Sequence, residues 1–172
     1  EGDWDKVREA AERGEDVNSV INFQGLVGLP ILTFCADIGD LDALKALIKT
    51  GADVNKQLKN IEMASGYQDA LTASLKSDNM DHFSFLIESG ANPDPYKDSQ
   101  SGWTPLTMAA KHENNKALKR LLKLGVDVDV ANYAGESPFK VLSTLDDSSK
   151  NRKCLRTLIK ANADVTRCDN EG

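Results

Sequence analysis

Aromatic residues make up only 6% of this 172-residue chain, which has two histidines and three cysteines. Each scarcity excludes something. His82 and His112 match no H-E-x-x-H or paired-ligand spacing, so they are expected to be structural or partner-contact side chains rather than metal ligands. Cys35, Cys154 and Cys168 are odd in number and never spaced C-x-x-C, which fits reduced thiols rather than a disulfide framework. Cys35 and Cys154 fall on apolar helix faces, where a thiol acts as a small hydrophobe. Apolar runs are too short to cross a bilayer, and the acidic start Glu1-Gly2-Asp3-Trp4 has no signal-peptide pattern. Basic residues do not predominate. With 21 Lys and Arg against 27 Asp and Glu, the net charge is −6, so the surface as a whole is not expected to bind nucleic acid. Gly25-Leu26-Val27-Gly28 lacks the third glycine and the strand context of a dinucleotide loop, and no P-loop occurs. No Ser or Cys has an identifiable base partner. The expectation is no catalytic residue, no metal and no cofactor.

What the chain does contain is repetition. One phrase recurs as Gly14-Glu15-Asp16-Val17-Asn18, Gly51-Ala52-Asp53-Val54-Asn55, Gly90-Ala91-Asn92-Pro93-Asp94, Gly125-Val126-Asp127-Val128-Asp129 and Asn162-Ala163-Asp164-Val165-Thr166, at spacings of 37, 39, 35 and 37. Ahead of each copy, apolar residues at i, i+3 and i+4 predict an amphipathic helix. The core pairs are Leu47-Ile48, Leu86-Ile87, Leu121-Leu122 and Leu158-Ile159, with Leu44, Phe83, Leu118 and Leu155 one turn earlier. Trp4 aligns with Leu41 and Met80 and is expected in the core. The recurring Asp53, Asp127 and Asp164 could suggest a metal ladder, but a turn in which Asp bonds its own backbone explains them.

A second phrase precedes the helices: Ser101-Gly102-Trp103-Thr104-Pro105-Leu106-Thr107-Met108-Ala109-Ala110, and Asn132-Tyr133-Ala134-Gly135-Glu136-Ser137-Pro138-Phe139. With the first phrase it resembles the ankyrin repeat, whose signature is D-x-x-G-x-T-P-L-H-x-A-A, a second helix, then G-A-D-V-N. The resemblance runs along essentially the whole chain. It implies an all-α solenoid of stacked helix-turn-helix units with β-hairpin or loop fingers. Thr104 suits an N-cap, Pro105 the first helical position, and Asp69 the cap of the third repeat. Gly51, Gly90, Gly125 and Asn162 suit a left-handed cap after the second helix. The family's His after T-P-L, which bridges neighbouring hairpins, is replaced by Thr72, Thr107 and Lys140, so those contacts pass to Thr or are lost.

The expected divisions are the second helix of a partial repeat at 1–18, repeats at 19–55, 56–94 (with a long finger), 95–129 and 130–166, and the start of another at 167–172. Both ends fall inside repeats, so an excised piece of a longer array is expected. Against the family period of about 33, the second, third and fourth repeats lengthen their fingers, around Ile21 to Gln24, Lys56 to Gln68 and Pro95 to Ser99. The fifth is expected to lengthen its helix-to-helix turn at Asp146-Asp147-Ser148-Ser149.

The resemblance implies a non-enzymatic module that binds a protein or peptide through its concave groove and fingers. The alternative is the recruiting arm of a multidomain enzyme, such as a secreted bacterial effector, whose catalytic domain lies elsewhere. In the long finger Leu58, Ile61, Met63 and Tyr67 are apolar residues expected to project. Variable positions of the family signature fall on Gln68 and Lys76, on Gln100, Trp103, Lys111 and His112, and on Tyr133 and Glu136. Tyr96 joins them as an aromatic anchor candidate. Trp103 either meets a partner or lies flat across the neighbouring finger. A monomer is expected, with no nucleic-acid partner and no membrane insertion, in a cytoplasmic or nuclear-type reducing compartment or in host cytosol for an effector.

Overall fold

The computed structural model describes residues 4–23, 26–57, 69–95, 103–132 and 134–166. Within them the chain forms two units, Glu1–Asn92 and Pro93–Gly172. The first contains α1 (Trp4–Glu12), the hairpin strands β1 (Val20–Phe23) and β2 (Leu26–Pro30), α2 (Ile31–Ile38), α3 (Leu41–Lys49), α4 (Ala70–Lys76) and α5 (Met80–Glu88). The second contains α6 (Pro105–Lys111), α7 (Asn115–Lys123), α8 (Pro138–Ser143) and α9 (Ser149–Lys160). The strands pair antiparallel, Val20 opposite Pro30 and Phe23 opposite Leu26, with a bulge between Ile21 and Phe23. The lengthened second finger is therefore a true hairpin.

Two kinds of helix alternate, and their sequences say why. The first helix of each repeat is short, and in the third and fourth repeats it is buried almost all round. Every residue of α4 from Ala70 to Leu75 is buried, as is every residue of α6 from Pro105 to Ala110. Such pieces are too short to hold together alone in water, so neighbours must supply their stability. In the first unit α2 packs on α4, and in the second α6 packs on α8. The second helices are amphipathic. α3 packs on both α1 and α5, and α7 packs on α9. Leu44, Leu47, Phe83, Leu86, Leu118, Leu121 and Leu158 are each at most 1% exposed.

The core expectation needs three corrections. Leu155 is only half-buried, and Cys154, one place earlier, takes the buried position of α9. Leu47, Leu86, Leu121 and Leu158 are buried, but Ile48, Ile87 and Leu122 are only half-buried and Ile159 is 53% exposed. One helix side buries about one residue per turn against its neighbours, so the second member of each pair lies at the margin. Trp4 is likewise half-buried rather than core. It sits at the first position of α1 and packs its ring on Phe34, with centroids 5.6 Å apart.

Caps define the helix boundaries. Thr104 Oγ1 accepts from Thr107 N at 3.1 Å, and Asp69 accepts from both Thr72 N at 2.8 Å and Thr72 Oγ1 at 2.9 Å. The hydroxyls that replace the family histidine therefore close local caps, Thr107 with Thr104 and Thr72 with Asp69. In the second repeat Pro30 itself occupies the N-cap, the place of Thr104, and brings no side-chain acceptor. Thr33, aligned with Thr107, is consequently a buried hydroxyl without a partner.

At the other end of the second helices Gly51 has φ +103°, and Ala52 N reaches back to Leu47 O at 2.9 Å, closing the helix from the left-handed region. Asn162 takes the same place with φ +64°, while Ala163 N bonds Leu158 O. The extra residues of the fifth repeat fall differently from expectation. From the cap Ser148 to Asn162 is 14 positions, against 11 from Asp40 to Gly51. Three of the four therefore lengthen α9, which runs to 12 residues where α3, α5 and α7 have nine.

Candidate partner-binding site

The recurring phrase does more than turn the chain. Asp53, Asp127 and Asp164 each accept from the N–H two residues on, at 2.9, 3.0 and 2.9 Å, which is the local role expected for them. The fifth position of the phrase reaches the next repeat, a role not anticipated from the sequence. Asn18 Nδ2 donates to Gly51 O at 3.1 Å while its Oδ1 accepts from Asp53 N at 2.7 Å. Asn55 does the same to Gly90 O and Asn92 N, at 3.2 and 2.8 Å. In the second unit Asp129 accepts from Asp164 N at 2.9 Å, but an ionised carboxylate has no hydrogen to donate in return. The repeated Asn or Asp was itself the signal.

His82 is also structural. It is 2% exposed, and its Nδ1 lies 3.1 Å from Ala36 O, which ties α5 to α2. A carbonyl can only accept, so Nδ1 carries the proton. Cys35 and Cys154 are wholly buried, as expected. Burial foremost, and then the nearby Asp40, pushes the Cys35 thiol up to about 12. Burial, and then Glu113, pushes Cys154 up to about 11. Protonated thiols of this kind are poor nucleophiles.

Of the positions singled out for partner contact, Leu58, Ile61, Met63, Tyr67, Gln68, Tyr96, Gln100 and Tyr133 lie outside the described residues, as does Cys168. The remaining five are Lys76 in the first unit and Trp103, Lys111, His112 and Glu136 in the second. Lys76, at the end of α4, is exposed and sits 3.5 Å from Asp37 at the end of α2, where Ser77 also bonds Asp37. It thus links neighbouring repeats.

Trp103 and Lys111 are brought together. The tryptophan immediately precedes the N-cap Thr104, and the lysine ends the same helix. A helical side chain leans toward the N-terminus, so the lysine stem runs back along α6 and sets its ammonium 4.2 Å from the Trp103 ring centroid. The ring is half-buried and the lysine exposed. His112 follows as the C-cap, half-buried at the same helix end. An amphipathic indole beside a cation, mounted on a helix buried from Pro105 to Ala110, is a rigid aromatic surface with little side-chain entropy to lose on contact.

Glu136 has a different task. Its carboxylate accepts from Asn132 Nδ2 at 2.7 Å, while Asn132 Oδ1 accepts from Ala134 N and Glu136 N at 2.9 and 3.0 Å. Together these bonds tie Asn132 to Ala134 and Glu136, with Gly135 at φ +79°. Glu136 is spent on loop shape before any partner arrives.

A family model for ankyrin repeats (3 copies) matches residues 32–132. No curated protein matches the chain. Ankyrin repeats are generally protein–protein interaction modules and are typically non-catalytic. No described helix is long and apolar enough to cross a membrane.

Proposed function

The chain belongs to the ankyrin repeat family, and we propose that it captures a protein or peptide at the finger-and-first-helix side of its repeats, with the edge of α6 as the anchor. The observation that carries this reading is the Trp103–Lys111 pair. An indole half-open to solvent is a side chain of the type enriched at binding hot spots, and the ammonium 4.2 Å over its ring holds it in place before contact. The helix beneath is buried and capped at both ends, so partner contact need not reorganise the scaffold. His112 adds a polar contact position at the same helix end as Lys111. The reading includes a monomer in a reducing compartment, where buried unpaired Cys35 and Cys154 are at home.

Trp103→Ala should lower partner capture by at least about tenfold, the loss expected of a hot-spot aromatic. Lys111→Ala should cost less, about 0.5–1 kcal/mol, the worth of an exposed cation–π contact. Both should keep the helical circular dichroism of the parent. Capture unchanged by Trp103→Ala in a folded chain would show that the ring is packing alone.

A further inference from the structure

The second helices of the Pro93–Gly172 unit carry charge of one sign. On α7, Lys116, Lys119, Arg120 and Lys123 are all exposed, opposite the buried Ala117, Leu118 and Leu121. On α9, Lys153, Arg156 and Lys160 are exposed, opposite the buried Asn151, Cys154 and Leu158. Neither helix contains an acidic residue. They lie side by side, joined where Thr157 Oγ1 donates to Asn115 Oδ1 at 2.6 Å. Among the described residues none of these seven cations forms an ion pair. Arg152, at the start of α9, does, with Asp147 at 2.8 Å.

Composition sharpens the contrast. Residues 1–92 hold 16 acidic and 8 basic side chains, a net −8. Residues 93–172 hold 11 acidic and 13 basic, a net +2, and none of those 11 acids lies in α6, α7, α8 or α9. Like charges three or four positions apart, as in Lys116–Lys119, Lys119–Lys123 and Arg156–Lys160, weaken a helix. Folding alone would favour interspersed carboxylates, as Asp42 beside Lys45 on α3 provides.

We propose that this two-helix face docks on an anionic lipid surface. Its cations spread over two adjacent helices rather than along one line. An extended acidic peptide could follow only one row of these cations. A lipid surface meets both rows at once and gains from every cation near it. Five lysines to two arginines suit diffuse attraction better than bidentate phosphate pairing. Neither helix bears an aromatic on which a base could stack.

The test is co-sedimentation of the full chain with phosphatidylcholine vesicles, with and without phosphatidylserine, at low and high salt. The chain should bind only the phosphatidylserine vesicles and release as salt rises. Lys119→Glu, Lys123→Glu, Lys153→Glu and Lys160→Glu combined should weaken binding at least about a hundredfold, since each such cation contributes roughly fivefold. Glutamine at the same four positions, a milder change, should weaken it by more than about tenfold and serves if the reversal unfolds the chain. Lys45→Glu with Lys49→Glu on α3 should leave binding intact. Absence of a phosphatidylserine preference, or full binding by a folded variant, overturns the proposal. So does tighter binding to soluble polyglutamate or duplex DNA, which would assign the face to an acidic polypeptide or a nucleic acid.

Discussion

A buried hydroxyl with no partner loses its water and gains nothing in return, which is the position of Thr33. Thr33→Val should therefore raise stability by up to about 1 kcal/mol in urea unfolding, whereas Thr72→Val should lower it by about 1 kcal/mol because Thr72 completes a capping box. The cause lies three residues upstream. Pro30 resembles the proline of Thr-Pro-Leu, but it falls one place earlier, on the cap itself. Sequence shows the proline and cannot show that one-residue shift, because the cap is set by where the hairpin delivers the chain. The buried thiols were legible from helical spacing, and their chemistry follows. Their folded values of about 12 and 11 exceed the ordinary 9.0, so above pH 9 the unfolded chain releases protons that the folded chain keeps. Stability should be unaffected by these groups below pH 9 and should fall as pH rises through 9 to 11, by about 1.4 kcal/mol per pH unit for each thiol. Urea titrations across that range, compared with Cys154→Ala, measure the slope, which should be smaller in the variant.

Helix existence and order were legible from hydrophobic period and cap residues. Helix length in the fifth repeat was not. Asn151 explains why. Its Nδ2 donates to Leu142 O at 2.9 Å and Asp146 O at 3.0 Å, holding the α8–α9 turn from inside α9. Such a role is invisible in a polar residue that reads as helix surface. Asn151→Leu should strand those carbonyls and cost about 1–3 kcal/mol, read as a lower urea midpoint. Between α2 and α3 the constraint is space. A Cβ on Gly39 would stand 2.5 Å from Cys35 O and 2.6 Å from its Sγ, so Gly39→Ala must shift backbone and should destabilise by about 1–3 kcal/mol. The finger staples run the other way. Asp129→Asn would restore the donor that Asn18 and Asn55 use and should stabilise by about 0.5–1 kcal/mol in thermal unfolding.

For the molecule as a whole, repetition made the fold class readable, because each unit can bury its apolar side only against the next. Stability should accordingly be spread out. Leu86→Ala in one unit and Leu121→Ala in the other should each cost about 2–5 kcal/mol by calorimetry. The proposed partner surface was only partly readable. Alignment placed Trp103 and Lys111 at variable positions of one repeat, but their stacking depends on a lysine leaning back along a seven-residue helix. Glu136 and Lys76 also fall at variable positions, yet Glu136 fixes its own loop and Lys76 pairs with Asp37. Variable position marks where a contact can be made and not which side chains are already engaged. The decisive measurement is photo-crosslinking from a benzoylphenylalanine at position 103, with the same label at position 124 as control, in cytosolic extract. A discrete protein adduct formed from position 103 and suppressed by excess unlabelled chain is expected. Adducts from position 124 alone, with none from 103, would contradict the account.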